Sequence, residues 1–360
     1  MRKNIFILYA LLTSINAISY SDDTKYEIIV NDLNNPWSFV FLNENSILIN
    51  EKKGELINFE NGRKKIITGL PDIIDLGQGG LLDIELHPNY KSNGWIYITY
   101  ASSNDENNGA NTSLMRFKIK NNQIINKELL YSATPNSKKG QHFGSRIIFD
   151  NEYLYFSIGD RGNRNINPQN IKRDGGKIYR LYDDGSIPVD NPFTNDRYSK
   201  KAIFSYGHRN PQGMAIHPAT KELWIHEHGP RGGDEINIIK AGKNYGWPLA
   251  SYGVNYIGTK FTNNKVLQGT EQPIHYWVPS IAPSGMIFVN SSLYPELKNS
   301  ILIGSLKFEY LHQCIVDGNK VIKENKLLDK IGRVRSLEVG PNGYIYAGIE
   351  NLGIIKILPN

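Results

Sequence analysis

Only one cysteine, Cys314, occurs in 360 residues, so neither an internal disulfide framework nor a multi-thiolate metal centre is available. Long apolar runs are missing too. Nothing beyond the first residues approaches the roughly 18 consecutive apolar residues of a membrane span, so the chain is expected not to span one. Basic residues are scattered rather than massed, and the net charge is only +6, which argues against a nucleic-acid binder. No long amphipathic helical pattern appears. Strand and turn residues are what the chain has in quantity. Aromatics make up 11%, with 21 Tyr, 13 Phe and 5 Trp, beside 33 Gly and 17 Pro. That mix favours short strands joined by tight turns. An apolar content of 40% is enough for a folded core rather than a disordered chain.

The first residues read as an address. Met1-Arg2-Lys3 is basic, Ile5 to Leu12 is short and mostly apolar, and Ile15-Asn16-Ala17 offers a small residue for cleavage. Residues 1–17 are therefore expected to be a secretory signal peptide, with a frayed first strand as the alternative. An exported chain without disulfides fits a bacterial periplasm or secretion from a bacterium, with the mature domain running over 18–360.

A strand-like segment beside turn residues recurs at Asn45–Asn50, Asn93–Thr99, Asn151–Ser157, Lys221–His226, Asn299–Gly304 and Asn342–Ala347. Their centres, Leu48, Tyr97, Tyr155, Trp224, Leu302 and Tyr346, are 49, 58, 69, 78 and 44 residues apart. A β-propeller blade has four strands and takes roughly 40–50 residues, more when its loops are long. Six copies predict an all-β, six-bladed β-propeller, with long loops in the third to fifth blades. A β-sandwich with coincidental similarity is the alternative. Ligand chemistry is expected on the loops.

Those loops carry an unusual set of polar residues. Leu76-Gly-Gln-Gly-Gly-Leu-Leu-Asp83 lets backbone approach a ligand and offers Gln78, although a plain turn is the competing reading. Lys139-Gly-Gln-His-Phe-Gly-Ser-Arg146 sets His142 between glycines, where it is expected to be exposed and adaptable. Its ordinary pKa of about 6.5 suits a general base. A lone histidine is more often structural, but Phe156-Ser-Ile-Gly-Asp-Arg-Gly-Asn163 ends a strand on Asp160, a carboxylate able to orient it. Ser205-Tyr-Gly-His-Arg-Asn-Pro-Gln-Gly213 crowds Arg209, Asn210 and Gln212, which suit a ligand rich in carbonyl and carboxylate oxygens.

Ile225-His-Glu-His-Gly-Pro-Arg-Gly-Gly-Asp-Glu-Ile-Asn237 invites a zinc reading through His226 and His228, but no third nitrogen or sulfur ligand is close in sequence. Its Gly-Pro-Arg-Gly-Gly turn followed by Asp234-Glu235 better suits a hard cation such as calcium, which prefers oxygen ligands. Gly242-Lys-Asn-Tyr-Gly-Trp-Pro-Leu249 adds a rigid aromatic turn. Further on come Ile281-Ala-Pro-Ser-Gly285, Gly304-Ser-Leu-Lys307 and Ile331-Gly-Arg-Val-Arg-Ser336. Arg333 and Arg335, two apart, would share a strand face as a cationic clamp. Scattered cations are usually solvated surface. Gathered at one channel mouth, Arg209, Lys307, Arg333 and Arg335 would require a multiply charged anion.

In order along nearly the whole mature chain, these motifs resemble the soluble quinoprotein sugar dehydrogenases. These are the aldose sugar dehydrogenases and glucose/sorbosone dehydrogenases that use pyrroloquinoline quinone (PQQ), and they are six-bladed propellers. The resemblance implies that His142 takes the proton of the sugar's anomeric hydroxyl while hydride passes to the quinone, and that Asp160 orients His142. It implies that Gln78, Arg209, Asn210, Lys307, Arg333 and Arg335 grip the tricarboxylate cofactor, with Arg209 polarising the reacting carbonyl; Tyr256 and Ser284 are weaker matches nearby. Calcium would bind the carbonyls of Gly229 and Pro230 beside PQQ, and Glu235 and Tyr245 at the site of the aldose branch. The implied partners are an aldose, oxidised to its lactone, and an external electron acceptor such as a quinone, cytochrome or dye. The protein is expected to be a monomer or homodimer.

The chain departs from the glucose enzymes at Gln141, where they carry an acid, and at Asn165, where they carry a longer amide. The resemblance puts both positions on the substrate side, so a broader aldose preference is expected. Two rival functions are a calcium-dependent propeller lactonase, which would need a carboxylate-rich central site and no arginine clamp, and a non-catalytic sugar- or protein-binding propeller, which would be expected to lose His142 or Arg209.

Overall fold

The computed structural model describes residues 19–20, 24–103 and 109–360; the expected signal peptide lies outside them. Six antiparallel four-stranded sheets follow one another along the chain. Their first strands are Pro36–Asn43, Leu81–Leu86, Ile147–Asp150, Pro211–Ile216, Pro283–Phe288 and Val334–Val339. Each touches the next in a closed ring around a channel. This is the expected six-bladed β-propeller.

The last blade is completed from the other end of the chain. Tyr26–Val30 pairs antiparallel with Gly353–Ile357, with Tyr26 opposite Ile357. That pairing closes the ring and removes two open sheet edges. Ser19–Tyr20 adds a short parallel strand beside Asn325 and Lys326 at the edge of the fifth blade.

All six sequence repeats are the second strands of their blades. These strands are covered on both faces by neighbouring blades, so they read as continuous apolar runs. Ser46–Glu51, Ile96–Ser102 and Ser300–Ser305 are buried throughout. The core lies between blades. Leu48 and Leu56 pack with Ile84, Ile96 and Ile98, and Leu302 and Leu311 with Val334, Ile345 and Ala347. Each fully buried aliphatic side chain contributes about 1.5–3 kcal/mol. One expectation needs correction: among the described residues, the long loops within blades belong to the third and fourth and not to the fifth. The wide spacing before Leu302 is taken up by residues 240–274, between the last two strands of the fourth blade.

An arginine ties the blades together across the channel. Arg146 of the third blade pairs with Asp83 of the second at 3.0 Å. It donates to the carbonyls of Gln212 and Arg335, in the fourth and sixth blades, and its guanidinium stacks on Trp37 in the first.

Candidate functional site

In an antiparallel meander, the connection into each first strand and the connection from second to third strand emerge at the same end of the propeller. Gln78, His142, Arg209, Asn210 and Arg333 lie on connections of the first kind. Asp160, Gly229, Pro230 and Lys307 lie on connections of the second kind. Topology alone therefore gathers these residues at one mouth of the channel. Residues 240–274 start at the far end but climb beside the outer strand of the third blade, with Tyr206 bridged to Asn244 in parallel. They bring Tyr245, Trp247 and Tyr256 to the same mouth.

Two adjoining cavities open there, sharing Pro230 and Tyr256. The smaller, about 480 Å³, is lined by His142, Asp160 and Arg209, with Gln141 and Asn165 on its wall. His142 Nδ1 sits 2.6 Å from Asp160 Oδ1, while Asp160 Oδ2 accepts from Trp247 Nε1 at 2.9 Å. Asp160 Oδ1 also accepts from the Gly162 amide at 2.7 Å. With Nδ1–H donated to a carboxylate, the lone pair is on Nε2. His142 adopts a φ of 57°, uncommon for a residue with a Cβ. Its amide donates to Gln78 Oε1 at 2.8 Å. The same loop is pinned by Arg161, fully buried, stacked on Phe143 and hydrogen-bonded to the Gln141 carbonyl.

His142 is not exposed, as its flanking glycines suggested, but 9% accessible. Burial, and then the Arg209 charge, push its pKa below the ordinary histidine value, against the upward pull of Asp160. Burial works to raise the pKa of Asp160, but the His142 contact, the Arg209 charge and the Trp247 N–H outweigh it and hold the carboxyl below its usual range. The pair is thus a neutral imidazole beside a carboxylate, the state a general base requires. Arg209 donates to the His228 carbonyl at 3.0 Å, and its amide to Glu227 at 2.5 Å.

The larger cavity, about 900 Å³, is lined by Lys52, Arg231, Lys307, Arg333 and Arg335 against the carboxylates Asp234, Glu309 and Glu350. Gln78, Asn210, Gly229, Pro230 and Tyr256 also line it. Arg333 and Arg335 share a face, as their spacing required, but they are not a bare clamp. Arg333 Nε is 2.6 Å from Glu350 Oε2, and Arg335 is 2.5 Å from Glu350 Oε1. Glu350 aligns both guanidinium groups and neutralises one charge. Arg335 is the more enclosed, with 12% of its side chain accessible against 42% for Arg333. Ser284 is not brought to either cavity: it is fully buried and donates to the Val334 carbonyl.

The acidic segment divides. Asp234 is a brace, accepting from the amides of Gly229 at 2.8 Å and Ala282 at 2.9 Å. Glu235 faces a separate void of about 10 Å³, lined also by Glu227, Gly229 and Tyr245. That is room for one water or one ion. Burial, and then the Glu227 charge, push Glu235 far above the ordinary carboxyl value. Asn237 lies 3.4 Å from both carboxylates and its Oδ1 has no partner. The Tyr245 hydroxyl is committed to the Ile238 carbonyl at 2.6 Å. The zinc reading gains no third ligand: His228 Nε2 bonds the Pro283 carbonyl, and His226 is enclosed with both nitrogens unpartnered.

Trp247, Glu227 and Glu350 were missed by sequence reasoning. Only Glu350 had an accessible signal, since pairing of Val334 with Ile349 sets it beside Arg333.

Comparison with known proteins places the chain in a family. The profile of the Glucose / Sorbosone dehydrogenase family matches residues 33–356. The chain is 38% identical to aldose sugar dehydrogenase YliI of Escherichia coli over the whole of both chains. It is 31% identical to quinoprotein glucose dehydrogenase B of Acinetobacter calcoaceticus over 76% of this chain and 67% of that one. The crystal structure of the soluble aldose sugar dehydrogenase of Escherichia coli in its apo-form superposes with a TM-score of 0.90 at 38% identity, over 94% of this chain and 100% of that one. The chain belongs to the Glucose / Sorbosone dehydrogenase family.

Proposed function

We propose that the chain is a quinoprotein oxidoreductase that oxidises the anomeric carbon of aldose sugars to lactones, with PQQ as cofactor and calcium as its ion. The observation that carries this reading is the buried His142–Asp160–Trp247 chain, opening on a cavity that adjoins a second one rich in cations. The donor set of that second cavity fits a planar tricarboxylate: guanidinium and ammonium groups outnumber carboxylates, and its volume of about 900 Å³ falls in the range of cofactor sites. Lys307, Arg333 and Arg335 would hold its carboxylates, and Gln78 and Asn210 its edge. When bound, PQQ supplies a two-electron acceptor for the hydrogen that leaves the sugar's C1.

The chain's own residues do the rest. His142 Nε2 takes the proton of the C1 hydroxyl, and Asp160 stabilises the imidazolium that results. Arg209, beside both, supplies a fixed positive field where negative charge develops. Gln141 and Asn165 contact the sugar and set its specificity, which we read as broad. Calcium is read from its ligand chemistry: the Gly229 and Pro230 carbonyls at the larger cavity, and Glu235 with Tyr245 at the small void, where the unpartnered Asn237 oxygen and two buried carboxylates suit a hard cation. Residues 1–17 direct the protein to a bacterial periplasm or outside the cell, where an external acceptor reoxidises the cofactor.

The test is reconstitution. Purified apoprotein given PQQ and calcium reduces an acceptor dye with several aldoses; omitting PQQ abolishes this, and exhaustive chelation lowers it until calcium is returned. Full activity without PQQ, or lactone hydrolysis in its place, overturns the reading.

A further inference from the structure

On the outer half of the fifth blade, the strands Leu311–Asp317 and Lys320–Leu327 pair with Cys314 opposite Glu324. His312 and Cys314 are two residues apart, so they share a face of their strand. Both are buried, at 1% and 0% accessibility. That face packs on the fourth blade: Cys314 shares a core cluster with Trp277 and Ile236. A nitrogen of His312, the Cys314 sulfur and a Glu324 oxygen all lie within 4.8 Å of one another. Among the described residues no other three side chains of metal-ligating type converge so closely.

Glu324 holds this cluster together. Its Oε2 is 2.6 Å from His312 Nε2 and accepts from Trp277 Nε1 at 2.6 Å. Its Oε1 is 3.3 Å from Nε2 of His275, on the last strand of the fourth blade. Yet His312 Nδ1 is buried without a hydrogen-bond partner, and His275 Nε2 meets Glu324 at 3.3 Å without hydrogen-bond geometry. Two imidazoles, a thiol and a carboxylate meet in an apolar seam, and hydrogen bonding leaves them incompletely satisfied. Nothing in sugar oxidation employs them.

We propose that His275, His312, Cys314 and Glu324 bind one zinc-class divalent ion that ties the fourth blade to the fifth. His312, Cys314 and Glu324 already converge; His275, outside that group but 3.3 Å from Glu324, would turn in as the fourth ligand, and two nitrogens, one sulfur and one oxygen suit tetrahedral zinc rather than calcium or magnesium. On binding, the Cys314 thiol proton goes to solvent, and the imidazoles coordinate as neutral bases through lone pairs. Ion, thiolate and carboxylate then sum to zero charge, which an apolar seam tolerates. Trp277 Nε1 keeps its bond to Glu324 and fixes that ligand's orientation. Four protein ligands leave no open position, so the ion is structural.

The probes are zinc and cobalt with the full-length, untagged protein. After equilibration with micromolar zinc and gel filtration, elemental analysis should find about one zinc per chain. Cys314→Ser and His312→Ala should each weaken zinc affinity at least 10- to 100-fold, and His275→Ala should weaken it less. One equivalent of cobalt should give a thiolate-to-cobalt charge-transfer band that Cys314→Ser lacks. Dye reduction by PQQ-loaded Cys314→Ser should match wild type, which separates this site from the sugar site. Equal zinc retention by wild type and Cys314→Ser overturns the proposal. If the variants fail to fold, wild type alone decides: no thiolate band at one equivalent of cobalt overturns it as well.

Discussion

The two cavities at the channel mouth are built on opposite principles. Around His142 the protein removes water and balances charge, so that an imidazole stays neutral and aimed. Its parts come from four connections, and each donor has one partner: His142 Nδ1 and Trp247 Nε1 both give to Asp160, and the His142 amide gives to Gln78. Around Arg333 and Arg335 the protein keeps charge in excess and partly wet, on a rigid strand start, with Glu350 as a shared counter-ion. A reacting group needs a tuned pKa and one geometry. An anchoring group needs field and donors, and a resident carboxylate keeps the donors aligned while the site is empty of ligand.

The largest effect that tests this contrast is at the base. His142→Gln should lower kcat by about 10²–10⁴-fold, the usual contribution of a general base. The PQQ concentration giving half-maximal recovery should move far less. Near-normal turnover in the variant would falsify the base assignment and make the corner structural.

The clamp should answer in affinity rather than in turnover. Arg335→Ala removes an enclosed, charge-assisted contact worth roughly 1.5–3 kcal/mol, about 10- to 150-fold in PQQ affinity. Arg333→Ala, with a half-exposed side chain, should cost less than about tenfold because solvent screens it. Arg335→Lys keeps the charge but loses the fork to Glu350, so it should fall between wild type and Arg335→Ala. Titrating each apoprotein with PQQ decides. Equal losses at both positions would mean that burial does not grade the clamp.

The contrast also explains what could be read from the chain. The second strand of each blade was legible because both of its faces are buried. Outer strands such as Arg63–Ile67, exposed over four of five residues, carry no such signal. His142 and Asp160 were legible because each sits in a short motif at the edge of an inner strand. Trp247 was not, because it lies 87 residues from Asp160 and a loop parallel to the third blade brings it there. Ser284 misled because its motif lies beside the site while its hydroxyl turns into the core. Tertiary burial, invisible in a motif flanked by glycines, is what made His142 enclosed.

A finer test lies in pH. In the proposed role His142 acts only when unprotonated, and burial with the Arg209 charge lowers its pKa. The acid limb of kcat/KM should therefore lie below pH 6.5: activity is full above the lowered pKa and lost as pH falls through it. Arg209→Gln removes a neighbouring cation, so whatever activity remains should show a limb displaced upward. A wild-type limb above pH 6.5 would mean that Asp160, not burial, governs the imidazole.

The smallest expected effect on the ligand comes from the residue between the two arginines. Val334 is fully buried in the core of the sixth blade. A Cβ added at Gly304 would stand only 3.0 Å from its Cγ1, so the space around it is filled. Val334→Ile adds a methylene there and should destabilise the fold by about 1–3 kcal/mol through overpacking, read as a lower denaturant midpoint. Because its side chain points away from the cavity, PQQ affinity should change less than about twofold, well below the tenfold that 1.4 kcal/mol brings. Stability and affinity moving together in this variant would mean that the strand start is held by core packing. Affinity unchanged at reduced stability would leave Glu350 as the element that sets Arg333 and Arg335 in place.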